Sequence, residues 1–226
     1  MKQRKLKKGG LIFLITILSM IPPLATDLYM PALPELVEHF HTTTSMTSFT
    51  MTIFFIFMAL GTLVLGPVSD KYGRKPVLVW STVLTLICSI SCALAPTILF
   101  LICVRAIQAF GAGGMIAIGS ALIKDSFEGP EMGKVLSITQ AFMFVAPVAA
   151  PILGALILQF ADWSMTFIAL ALLNAITLGF VLMLDETLPE KRRVQESTLH
   201  SIFGLTKIVK NPVFTNLLLL GGVLTA

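Results

Sequence analysis

Charge is scarce in this chain: only 12% of its 226 residues are Asp, Glu, Lys or Arg, and long stretches carry none. A soluble globular domain needs about twice that share to face water, so an ordinary soluble fold is excluded. Histidine is represented only by His39, His41 and His200, and cysteine only by Cys88, Cys92 and Cys103. The cysteines all lie inside apolar stretches without metal-ligand spacing, so neither a disulfide framework nor a zinc site is indicated and no metal is expected. The three histidines fall in polar segments with no clustered acid or nucleophile beside them, which argues against an enzyme and leaves no catalytic set to name.

What fills the chain instead is apolar: 56% hydrophobic residues and a mean hydropathy of +0.90. Six runs, at 11–29, 45–65, 77–95, 98–123, 135–160 and 165–184, are each long enough to cross a hydrocarbon core of about 30 Å. The first contains Pro22 and Pro23 and is expected to kink, continuing as far as Val37. A seventh run begins near Val213 and is too short to cross before Ala226. The expected fold is an all-α membrane protein. Its parts are a six-helix bundle over 1–184, a cytoplasmic connector over 185–211, and the start of a truncated seventh helix over 212–226. The connector reads as an amphipathic helix on the membrane face or as an unstructured polar linker.

The basic residues are unevenly placed. Five lie before the first span, three in the loop at 66–76, two at 124–134 and five beyond the sixth span, which leaves Arg105 alone inside a span. The opposite loops, around 35–44, 96–97 and 162–163, hold no Lys or Arg. The positive-inside bias then puts the N-terminus of this multi-pass membrane protein in the cytoplasm. The +4 balance reflects these short loops, and no nucleic-acid partner is expected.

One loop is denser in signal than the rest: Gly66-Pro67-Val68-Ser69-Asp70-Lys71-Tyr72-Gly73-Arg74-Lys75-Pro76. Its glycines permit a sharp reversal, its prolines are expected to mark helix ends, and Asp70 is placed to pair with the bases around it. Two other residues should be rejected by a bilayer. Asp27 reads as a membrane-embedded functional acid, or else as a helix-end acid at the outer interface; the first is preferred because an ionisable group in a span usually marks a transport path. Arg105 has Gln108 one turn on, with a Gly/Ala run behind it that permits close helix packing. In the fifth span Pro147, Pro151 and Gly154 recur as a bent stripe, suited either to sliding against a neighbour or to static kinked packing.

Together these segments resemble the major facilitator superfamily of transporters, and within it the N-terminal half of bicyclomycin-resistance type drug:proton antiporters. The likeness runs through Thr26-Asp27-Leu28-Tyr29-Met30-Pro31-Ala32-Leu33-Pro34, the loop at 66–76, the segment 105–114 and the proline stripe. It implies 3+3 inverted repeats and proton-coupled efflux of drugs or other small molecules by alternating access across the bacterial inner (cytoplasmic) membrane. The proton gradient is the energy source and no cofactor is needed. It implies a proton-coupling site at Asp27, Arg105 and Gln108, a conformational latch at Gly66, Asp70, Gly73 and Arg74, and an antiporter stripe at Pro147, Pro151 and Gly154. Tyr29, Met51, Phe55, Met58 and Phe144 are candidates to line a substrate pocket, with plain packing as the other reading. Such carriers have two six-helix halves with the site between them. The expected partners are therefore membrane lipid, a small-molecule substrate, and a missing C-terminal half or a second copy; this half-length chain alone is expected to be inactive. The alternative is a half-length membrane assembly subunit without transport activity.

Overall fold

The computed structural model describes residues 6–189 and Arg193; the connector beyond these positions and the start of a seventh helix lie outside the described residues. Seven α-helices and one 3-10 turn make six spans, and the described residues contain no strand. The first span is composite: α1 (Lys8–Asp27), a 3-10 turn (Met30–Ala32) and α2 (Leu33–His39). The others are α3 (Thr44–Tyr72), α4 (Arg74–Ala93), α5 (Ile98–Ser126), α6 (Gly129–Leu158) and α7 (Ser164–Met183). Helix is the open-chain form that satisfies every backbone N–H and C=O without water, and it is why the apolar runs take it.

Thr43 and Thr97 begin α3 and α5 by accepting the N–H of Met46 and Phe100 on their hydroxyls. The expected ends at Pro67 and Pro76 are not where the helices stop. α3 runs through Pro67 to Tyr72 and α4 starts at Arg74, so the segment read as a loop is helical except for Gly73. Pro67 costs one backbone hydrogen bond but does not end the helix, while Pro76 falls in the first turn of α4, where its missing N–H is free anyway. Gly73 makes the reversal alone at φ 104°, a backbone region that favours glycine.

The spans pack as two related triplets. α3 lies along α5 as α6 lies along α1, and α4 touches α5 as α7 touches α1; α1 meets α5 and α4 meets α7. Exchanging the first three spans with the last three maps this set of pairs onto itself, and the alternating span directions make the relation inverted. The close crossings sit on glycine. A Cβ on Gly61 would collide with the Phe110 carbonyl and one on Gly113 with the Met58 carbonyl, while the Thr62 hydroxyl donates to the Gly113 carbonyl at 3.1 Å. The matching crossing has Gly154 against the Leu28 carbonyl.

Two apolar clusters fill the bundle, one around Leu14, Leu18, Leu78 and Met115 near the Lys8 end, the other around Tyr29, Phe54, Phe167 and Leu170 near the opposite end. Polar ties secure each end: a Lys8–Glu131 ion pair on one side, and on the other the Glu35 carboxylate accepting the Trp163 N–H at 3.2 Å. α3 and α6 are the least enclosed. Most of each lies outside the packed interior, whereas α5 is the most enclosed span, so Phe55, Ile56, Phe144 and Val148 point outward.

Candidate transport site at the break in the first span

The first span breaks because of its sequence. Pro31 has no N–H to give the Asp27 carbonyl, and α1 ends at Asp27, with the Leu28 N–H bonded to the Leu24 carbonyl ahead of the 3-10 turn. Asp27 is therefore a helix-end acid inside a span that carries on as α2. It is half-buried, with one carboxylate oxygen 3.1 Å from the Thr26 hydroxyl, which also lies 2.9 Å from the Pro23 carbonyl.

Arg105 reaches the same break from α5. Its Nη1 donates to the Ala25 carbonyl and to Gln108 Oε1, both at 2.9 Å, and Gln108 Nε2 passes the line on to Ser89 Oγ at 2.8 Å. The side chain is fully buried. Bringing a charge into such a place costs several kcal/mol or so unless partners repay it. Three rings surround the guanidinium carbon: Phe54 at 4.3 Å, Tyr29 at 4.4 Å and Phe167 at 5.8 Å from their centroids. Each such contact contributes about 0.5–2 kcal/mol, the larger figure applying where water is excluded. Tyr29 is fixed in turn by a 2.8 Å hydrogen bond to Thr50. Arg105 and Gln108 thus share one network, whereas Asp27 and Arg105 form no ion pair among the described residues; the arginine grips the backbone two residues before the acid.

At the Lys8 end the second cluster centres on Arg74, which is buried. Its Nη2 pairs with Asp70 at 2.6 Å, its Nε with Asp125 at 3.0 Å, and its Nη1 donates to Ser69 Oγ at 2.7 Å. The Glu186 carboxylate accepts the N–H of Arg74 at 2.9 Å and of Lys75 at 3.2 Å, capping the N-terminus of α4 where free donors and the helix dipole favour an anion. Gly66, Asp70 and Arg74 line one cavity of about 250 Å³ with Lys124 and Asp125. A Cβ on Gly73 would lie 2.6 Å from Glu186 Oε2. Ser69, Asp125 and Glu186 were not among the expected site residues. The available signals were weak: Asp125 follows Lys124 on the side where bases gather, and Glu186 follows the sixth span directly.

Of the stripe expected on α6, Gly154 lies on the buried face and the two prolines lie beside it. Pro147 is exposed and Pro151 half-buried, and the buried line is Ala146, Ala150 and Gly154, one residue off the prolines. Small side chains there let α6 lie against the break, with Pro31 Cδ 3.4 Å from where a Gly154 Cβ would be. The candidate pocket residues do not gather either. Tyr29 is buried against Arg105, Met51 and Met58 are half-buried, and Phe55 and Phe144 point out of the bundle. A cavity of about 660 Å³ lies instead between α1, α6 and α7, lined by Leu24, Leu28, Leu153, Ile157 and Leu170. Among the described residues no three His, Cys, Asp or Glu side chains come together as a metal-ligand set.

In a comparison with known families, the model of the Major Facilitator Superfamily matches residues 12–226. The chain belongs to this superfamily. Among superfamily relatives, it is 32% identical over 208 residues to the uncharacterized MFS-type transporter YdgK of Bacillus subtilis, covering 91% of this chain and 52% of the relative. It is 29% identical over 199 residues to the multidrug resistance protein MdtL of Escherichia coli (85% and 51%). It is 28% identical over 191 residues to a bicyclomycin resistance protein homolog of Haemophilus influenzae (83% and 48%). The chain spans about half the length of the curated relatives it matches. Among solved superfamily structures, the proton:xylose symporter XylE superposes with a TM-score of 0.72 at 16% identity, covering 92% of this chain and 51% of that one. The human organic anion transporter MFSD10 gives 0.68 at 19%, covering 83% and 50%. The fold and the superfamily are those expected from the sequence.

Proposed function

We propose that the chain supplies the N-terminal half of a proton-coupled drug or small-molecule efflux antiporter working by alternating access in the bacterial cytoplasmic membrane. The observation that carries this reading is the break at Asp27, an acid inside a membrane span beside a buried arginine held by Ala25 and Gln108. Asp27 exchanges the proton, and Arg105 and Gln108 fix the backbone that presents it. The Asp70–Arg74–Asp125 cluster acts as the latch that favours one conformation. The charge distribution supports a cytoplasmic Lys8 end. The multidrug resistance relatives support efflux as the direction of transport.

Alternating access needs two bundles rocking about a site between them, and the outward apolar faces of α3 and α6 suit such an arrangement. The chain therefore works beside a second six-helix unit, and alone it inserts without pumping. The test uses vesicles holding the purified chain with or without the C-terminal half of MdtL, with an imposed proton gradient and ethidium as probe. Gradient-driven extrusion only with both halves is expected. Pumping by the chain alone would overturn the need for a second unit, and no gradient-driven extrusion in either case would overturn the antiport reading.

A further inference from the structure

We propose that Phe54, Tyr29 and Phe167 form an aromatic cage that holds the positive charge of Arg105 in the membrane interior, independently of the Asp27 carboxylate. The proposal deepens the reading of Arg105 as part of the coupling site and rests on it. It makes these three rings positioning residues for that site.

The geometry carries the argument. The guanidinium carbon lies within 6 Å of three ring centroids, from α3, α7 and the turn after α1, which is the range over which a ring quadrupole attracts a cation. All three rings are fully buried, so water does not screen the attraction. No carboxylate replaces them, because the three ion pairs of the described residues all involve other side chains. Hydrogen bonding uses only one corner of the group: Nη1 has two acceptors, and Nε and Nη2 have none among the described residues. A guanidinium with a single corner bonded and its rings close by is held by π faces as well as by acceptors. The Tyr29 hydroxyl, tied to Thr50, keeps its ring in place from the second span.

The consequence is a division of labour. If rings hold the arginine, its position does not depend on the Asp27 carboxylate, and the acid can gain and lose its proton without unseating its neighbour. Spans one, two and six each contribute one ring, so a shift of any of them is felt at the arginine.

The test is graded fluorination, which weakens a ring's attraction for a cation while barely changing its size. Phe54 and Phe167 are replaced in the full chain by mono-, di- and trifluorophenylalanine, and thermal unfolding is followed in detergent. A stepwise fall in Tm is expected, on the order of 2 °C or more across each series. It should vanish in Arg105→Met and persist in Asp27→Asn. Phe57, which packs on the same core with no cation over its ring among the described residues, serves as a control that needs no change at Arg105 and should show no trend. A flat series at Phe54 and Phe167 would overturn the cage. So would an equal slope at Phe57, or a slope that survives Arg105→Met, since these would report packing alone. A slope lost in Asp27→Asn would overturn the independence from the acid. None of these outcomes depends on transport, so the cage and the antiport reading fail separately.

Discussion

Arg105 Nη1 lies 2.9 Å from the carbonyl oxygen of Ala25, so the fourth span holds the first at the turn where its helix gives way. A carbonyl in the last turn of a helix lacks an intrahelical donor, and a cation there also meets the negative end of the dipole. The arginine therefore stabilises the break and carries the charge beside it. Asp27 follows two residues later.

The first expectation concerns that acid. With the C-terminal half of MdtL supplied, Asp27→Asn should cut proton-driven ethidium extrusion by at least about tenfold, because an amide cannot exchange the proton. Membrane insertion, followed by fractionation, should be unchanged. Undiminished gradient-driven extrusion would refute the assignment.

At the Lys8 end, Arg74→Ala should lower stability by roughly 1–3 kcal/mol, since it leaves the Asp70 and Asp125 carboxylates without their shared cation. Asp70→Asn should cost less, as Asp70 is the more exposed partner. Thermal unfolding of the two variants in one detergent measures the order, and the reverse order would argue against Asp125 as the principal partner.

Two glycines should respond in opposite directions. Gly113→Ala forces a methyl into the Met58 carbonyl and should cost about 1–3 kcal/mol, because the obstacle is backbone. Gly179→Ala, in open space on helix α7, should stabilise by about 0.4–1 kcal/mol by restricting the unfolded chain. Equal effects would mean that the α3–α5 crossing is looser than described.

Orientation is tested by labelling. In a background without Cys88, Cys92 and Cys103, an impermeant thiol reagent applied to intact cells should modify His41→Cys and spare Tyr72→Cys. Both positions are exposed at opposite ends of the bundle, so access is set by the side of the membrane. Labelling at 72 alone would invert the topology.

The six spans were legible because a bilayer demands long apolar runs, and that demand leaves a mark in every one of them. Arg105 with Gln108 was legible for the same reason, as a cation where lipid should exclude it. Pro67 misled because a proline reads as a helix end, yet inside a membrane helix the loss of one N–H is tolerated while neighbouring groups adjust. On α6 the buried face is shared with the expected stripe only at Gly154, because spacing fixes a face only to within the width of a side chain, and Ala146 and Ala150 carry no signal of their own. Glu186 was invisible for a different reason. Its partners are the N–H groups of Arg74 and Lys75, more than 100 residues earlier, and nothing local announces a backbone cap supplied from so far away.

The joint at Gly73 has a mechanical consequence. One residue offers two soft torsions, so the attitude of α4 to α3 is governed by a single φ, ψ pair. Glu186 then pins the start of α4 to the segment leaving α7, and Arg74 pins it to α3 and α5. A tilt imposed on α3 at this end cannot be absorbed by slack in a loop. It is delivered, like torque through a short coupling, to the helix beside it.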